Sequence, residues 1–384
     1  MSRTPLDPGN GEFKLRAPLI ERLEAAVRSS KDPDSRAELM AQIACYQARV
    51  GEFDESERIR TELRSAYSDG HCPRVSIRIM CAESLLLFYR ALDRAAARDR
   101  MFRANLLSVA LSLPDLVSLT SAWMAHIDFN AGRFESMAKA ASVSVGSMEA
   151  DDGSAECRIA LLLGDAFLYG GSEGVARDWY ERARLAANRL GDHAAVGALT
   201  YNRGALHLAR SRVEGLEDEI DPSRIALVCA EIRSAVNYQA VARLRSLDHL
   251  LRSAIASSLM LEGRFAEASV AILKLIGSSE VPSGSAELAL LYSDNAFCLA
   301  KTGDWHLAAE MAAAAIEIDA GGFDFDDLAL IYDGLAKYHG AIGDSGLAKE
   351  MRSKAAFSLS EHRETITRLN LLIAPLAFVS SLGK

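Results

Sequence analysis

Recognition, rather than bond-making, is the chemistry that the polar side chains of this chain are equipped for. Trp123, Tyr169 and Tyr201 offer rigid, amphipathic contact area. Asn130 and Asn202 can each donate and accept at once, which suits holding an extended peptide backbone whatever its side chains. Arg158 suits a carboxylate, which a guanidinium meets with two parallel hydrogen bonds. No nucleophile, acid or base constellation emerges beside them. There is no Walker A loop, the one Gly-Lys pair being Gly383-Lys384, and no GxGxxG, GxSxG or HExxH string. The eight histidines do not fall at metal-ligand spacing. The six cysteines (Cys45, Cys72, Cys81, Cys157, Cys229, Cys298) include no CxxC pair, which argues for buried thiols in a reducing cytosol and against a zinc site or a disulfide framework. The expectation is a chain without catalysis, cofactor or metal.

Such residues need elements to position them, and composition says these are helices. Of 384 residues, 49% are apolar and 25% charged, with many alanines, only 9 prolines and 7% aromatics. The net charge of −9 makes nucleic acid an unlikely partner, since phosphate binding relies on Lys and Arg. The charge is uneven: residues 1–112 carry +2 and the remainder −11. No apolar leader opens the chain, and the longest late apolar stretch, Leu371 to Val379, is too short for a membrane span and contains Pro375. These features predict a cytoplasmic protein.

A phrase repeats along the chain: Gly, a polar residue, an aromatic, two residues, then a small residue. It stands at Gly51-Glu52-Phe53 with Ser56, Gly132-Arg133-Phe134 with Ala138 one place late, Gly263-Arg264-Phe265 with Ala268 and Gly303-Asp304-Trp305 with Ala308, with weaker copies at Gly171 and Gly343. The last three anchors are 40 residues apart, and the gaps leave room for degenerate copies near Ala91 and Ser211. Seven residues before each anchor stand Ala44, Ser84, Ala125, Gly164, Gly204, Ala256, Ala296 and Ala336, all small. A small residue there lets two helices approach closely. Gly at the anchor suits the left-handed turn that ends a helix. The aromatic after it starts the next helix and fills the space between neighbouring repeats.

This pattern resembles the tetratricopeptide repeat family over roughly Ser35 to Leu359. It departs from that family in its period of about 40 rather than 34 and in lacking the closing proline. The resemblance implies an all-α, right-handed α-solenoid of about eight helical hairpins. A tail and capping helix (1–34) precede the array (35–358), and a C-terminal capping helix (359–384) follows. The stripe Ile366, Leu369, Leu372, Ile373, Leu376, Val379 either packs on the last hairpin or offers a homodimer surface.

In such arrays the first helix of each hairpin lines a concave groove. Positions facing away from the small-residue contact then line it: Gln42, Arg49, Arg78 and Tyr89 early; Trp123, His126, Asn130, Arg158, Asp165, Tyr169, Tyr201 and Asn202 in the middle; Ser253, Ser257, Ser293, Asp294, Asp333 and Lys337 late. Early arginines and late aspartates would polarise the groove and orient a ligand. The implied function is a non-catalytic scaffold or adaptor holding a protein or peptide partner. The alternative is a bacterial peptide- or ligand-sensing module acting on a separate transcription factor or signalling enzyme.

Three further strings read as ordinary structure. Asp324-Phe325-Asp326-Asp327 matches the DxDD of helical terpene cyclases but sits where a helix starts, and the chain lacks the aromatic density of such a cavity. Arg90, Arg94, Arg98, Arg100 and Arg103 form a stripe diluted by Asp93 and Asp99, a solvated or salt-bridged face. Residues 213–221 carry five acidic and no basic side chains, a solvated insertion before a helix start at Asp221-Pro222-Ser223.

Overall fold

The computed structural model describes residues 17–149, 152–278 and 281–381, with side chains as far as Ala377. Among them are seventeen helices and no strand: α1 (Pro18–Ser29), α2 (Pro33–Val50), α3 (Phe53–Ala66), α4 (Pro73–Tyr89), α5 (Arg94–Ala110), α6 (Pro114–Phe129), α7 (Phe134–Gly146), α8 (Gly153–Tyr169), α9 (Glu173–Leu190), α10 (His193–Glu214), α11 (Pro222–Ala242), α12 (Asp248–Leu261), α13 (Phe265–Ile276), α14 (Ala286–Thr302), α15 (Trp305–Glu317), α16 (Phe325–Ala341) and α17 (Ser345–Ile373). A 3₁₀ stretch, Ala374–Ser381, follows. None of these helices is long and apolar enough to cross a membrane.

The turns form where the repeated phrase stands. Gly51, Gly132, Gly171, Gly263, Gly303 and Gly343 all have positive φ, the conformation that lets a helix end and the chain reverse. The polar residue after the glycine then caps the next helix: Asp304 accepts from the Leu307 amide and Asp344 from the Leu347 amide. At the degenerate copy near Ala91 the left-handed residue is Leu92. Near Ser211 there is no turn. α10 runs through to Glu214, because nothing between Ala205 and Glu214 breaks a helix, and α11 starts at Pro222 with Asp221 accepting from the Ser223 amide.

All eight small residues are buried. A Cβ at Gly164 would stand 2.6 Å from Tyr180 Cδ1 on the partner helix, and one at Gly204 would stand 3.2 Å from Ile232 Cδ1. Ser84 instead uses its hydroxyl, donating 2.6 Å to the Ala97 carbonyl. Consecutive helices pack in this way as α2 with α3, α4 with α5, and onward to α16 with α17. First helices also pack on one another, α2 on α4, α6 on α8 and α14 on α16. Of the aromatics that open second helices, Phe134 meets Tyr169 and Phe265 meets Phe297 of the following pair, as the spacing predicts. Trp305 does not: it is 51% exposed.

The C-terminal segment departs from expectation. No separate capping helix begins near 359; α17 is one helix of 29 residues, since no glycine or proline interrupts it between Gly346 and Pro375. Its apolar stripe does not cover the last hairpin. Leu369, Ile373 and Leu376 are buried in the largest core cluster, which runs from α2 to α9, and α17 lies against α7 and α8. That removes these residues as a homodimer surface; the Val379 side chain lies outside the described residues, as do the first residues of the predicted N-terminal helix.

Other contacts tie segments far apart in sequence. Arg49 of α2 pairs with Asp192, the cap of α10. The Arg245 amide donates to the Val50 carbonyl, and Ser246 Oγ to that of Arg49. Asn370 Nδ2 donates to the Gly170 carbonyl, and Arg368 pairs with Glu135. The acidic insertion is partly spent within the chain as well, Glu217 pairing with Arg363 and Glu214 with Arg210 and Arg224.

Candidate functional site

The residues expected to line a groove are all buried or half-buried except Lys337, and most find partners from this same chain. Trp123 on α6 is the centre of the densest group. The Arg158 guanidinium, from α8, lies over its indole with Cζ 3.8 Å from the ring centroid. Arg49 approaches the same ring at 5.8 Å, and His126, one helical turn along α6, meets it edge-on at 5.6 Å. Arg49 is satisfied by two hydrogen bonds to Asp192, at 2.8 and 3.1 Å.

Arg158 is different. It is 4% exposed, yet no hydrogen bond or ion pair with a described residue holds it, and its Nη1 is buried without a partner. Burial lowers its pKa, and the Arg49 charge lowers it further. Burial, followed by the charges of Arg158, Arg49 and Arg94, holds the His126 pKa well below the usual imidazole value, so that ring is neutral and its Nδ1 is also unpartnered. This part of the interior therefore holds two guanidinium groups and one contacting carboxylate, Asp192, which Arg49 takes, a costly arrangement in a medium of low dielectric.

Asp165, on α8, accepts from Tyr180 Oη at 2.9 Å and Asn202 Nδ2 at 2.7 Å. Its burial outweighs both hydrogen bonds and pushes its pKa up to about 7. Tyr169 donates 3.1 Å to Asp326 at the start of α16. The DxDD string is thus a helix start, as expected; within it burial and the neighbouring Asp326 and Asp324 charges raise Asp327 to about 8. Arg212 of α10 bonds to Asp294 at 2.7 Å and Ser257 at 3.1 Å.

The remaining predicted residues do not join this group. Asn130 bonds locally, to the His126 carbonyl, and Tyr201 is packed near α11 and α12. Gln42 and Tyr89 are half-buried. Arg78 pairs with Glu38, Asp333 with Lys337, and Ser293 bonds to the Leu290 carbonyl. Ser253 is half-buried beside Glu287. The charge gradient expected along the groove is cancelled, because Arg49, Arg78, Asp294 and Asp333 each have an opposite charge beside them. Four of the five arginines of the stripe are likewise paired, Arg90 with Asp54, Arg98 with Asp128, Arg100 with Glu83 and Arg103 with Asp99.

Sequence reasoning missed Asp192 and Arg212, and read Asp326 only as part of a helix start and not as the partner of Tyr169. Asp192 follows a turn glycine and is legible as a helix cap; nothing local points to Arg49, 143 residues away. All six cysteines are free, and no metal-binding group of His, Cys, Asp and Glu occurs among the described residues. Compared with known proteins, the sequence matches no family model and no curated protein.

Proposed function

We propose that this chain is a non-catalytic binding protein of tetratricopeptide type, a right-handed α-solenoid whose first helices line an inner wall, and that this wall takes an anionic group of a peptide or small ligand at Arg158. The single observation carrying the reading is the buried guanidinium over Trp123 that lacks a carboxylate. A carboxylate from outside would supply the missing partner with two charge-assisted hydrogen bonds. The succession of helix pairs, the left-handed glycines and the buried small residues support the solenoid. A cytoplasmic location belongs to the same proposal, supported by the free thiols.

Of the two functions considered, the ligand-sensing module is better supported than the open scaffold. Arg49, Asp165, Tyr169, Asn202 and Asp294 are already bonded to groups of this chain, so little of the inner wall is free for a long segment. Arg158→Met tests the reading, because it keeps the bulk and removes the charge. Titration of tryptophan fluorescence with short peptides bearing a free C-terminal carboxylate, against the same peptides amidated, is expected to give a response that Arg158→Met lowers at least about tenfold. The variant itself should be at least as stable as the parent, since an unpaired buried charge is gone. Equal affinity in parent and variant would remove Arg158 as the site.

A further inference from the structure

A cavity of about 450 Å³ lies between the end of α11 and the start of α12, away from Arg158. Its size is that of small-molecule sites. The wall is aliphatic, with Val236, Leu244, Leu251 and Ile255 facing it. Gln239 also lines it, and Gln239 is 3% exposed with neither amide atom hydrogen-bonded. A primary amide buried with both donor and acceptor idle costs free energy comparable to two lost hydrogen bonds. It is matched by a ligand that presents an acceptor and a donor together, as an amide does.

The rim supplies charge. Arg243, Arg245 and Arg252 line it with Asp248, Arg252 being already engaged within the chain. Arg243 ends α11 with φ +54°, a left-handed conformation that glycine adopts freely and a branched or long side chain does not. Keeping arginine there keeps a guanidinium at the rim. Neither Arg243 nor Arg245 makes a side-chain ion pair within 4 Å among the described residues.

We propose that this cavity binds a small amphipathic acid amide: an aliphatic body against Leu244, Leu251 and Ile255, an amide paired with Gln239, and a carboxylate at the arginines of the rim. Two sources share that chemistry, a free N-acyl amino acid and the apolar C-terminal end of a peptide. The site is separate from Arg158 and does not depend on the reading given above for the inner wall.

Calorimetric titration of the full chain with two probes tests it, N-hexanoylglycine and the tetrapeptide acetyl-Ala-Ala-Val-Leu with a free carboxylate. Binding of either at about 1 mM or tighter is expected, and the tighter of the two identifies the source. Amidating the carboxylate, or the substitution Gln239→Leu, should weaken it about tenfold. Gln239→Leu should also raise the melting temperature of the free protein by about 1–3 °C, because two idle polar atoms leave the interior. Arg243→Asn, a residue at ease with positive φ, gives an independent reading, with a loss of about fivefold. Amide exchange should slow over residues 236–255 on binding, which separates this site from Arg158 on α8. Absence of binding by both probes, or affinity indifferent to Gln239→Leu and Arg243→Asn, would overturn the proposal.

Discussion

Asp165 holds its place through two hydrogen bonds, but it has no cation in contact, and the fold raises its pKa to about 7 from 3.8. The sign of the consequence follows from linkage. Between pH 4 and 7 the folded chain keeps a proton at this carboxyl that the unfolded chain releases, so stability falls as pH rises through that window and levels above it. The size is on the order of a few kcal/mol. Asp327, raised to about 8, acts in the same direction and extends the fall slightly. His126, with its lowered pKa, acts oppositely and costs stability as pH falls below its unfolded value. Comparing melting temperatures of Asp165→Asn and the parent from pH 4 to 8 isolates one group. The variant should gain most at pH 8 and little at pH 4, since Asn keeps an acceptor for Tyr180. A difference that does not change with pH would mean that Asp165 is ionised throughout. This behaviour is not legible in the sequence: helical spacing assigns Asp165 to a groove, whereas its burial and its partners come from α9 and α10, which spacing along α8 does not specify.

Element boundaries were the most legible feature, because they are set by residues that act locally. A glycine with positive φ, an Asp that caps and a proline in a first turn each need only their neighbours; they stand where the repeat puts them at Gly303-Asp304 and Gly343-Asp344, and where the insertion ends at Asp221-Pro222. The column of small residues was legible for a related reason, since each must face the helix that its own turn brings back. Failure came where no local residue decides. Near Ser211 a helix continued, and after Leu359 another did, because a helix ends only where something stops it. The face that α17 buries was also decided at a distance, by α7 and α8. Leu369 is wholly buried and Leu371, two residues on, is 74% exposed. Leu369→Ala should therefore lower stability by about 2–4 kcal/mol in a denaturant titration, and Leu371→Ala by under about 0.5 kcal/mol. Similar losses would show that α17 does not lie against α7 and α8 in solution.

At the scale of the molecule, the end of α2 meets the cap of α10 and the turn between α11 and α12. Arg49 is the main polar link: it bonds twice to Asp192, while the backbone beside it accepts from Arg245 and Ser246. Gly51 makes that approach feasible, since a Cβ there would stand 2.7 Å from the Ser246 amide nitrogen. Removing the guanidinium by Arg49→Ala leaves a buried carboxylate uncompensated and should cost about 3–5 kcal/mol. The contact between early and late helices should loosen, with a larger radius of gyration in small-angle scattering and faster amide exchange at Arg245. An unchanged scattering profile would assign the closure to apolar packing instead. By itself the sequence determined that the chain is helical, where most helices begin and end, and which residue of each first helix touches its second. Those outcomes rest on dihedral preferences, capping and close approach within a few tens of residues. Only the tertiary structure decided that the groove residues expected from sequence are mostly bonded to other groups of this chain, that the C-terminal stripe packs into the middle of the chain, and that Arg158 Nη1 and the Gln239 amide are left without hydrogen-bond partners. Burial and pairing across more than a hundred residues depend on how small rotations between successive helix pairs accumulate, and no short stretch of sequence encodes that sum.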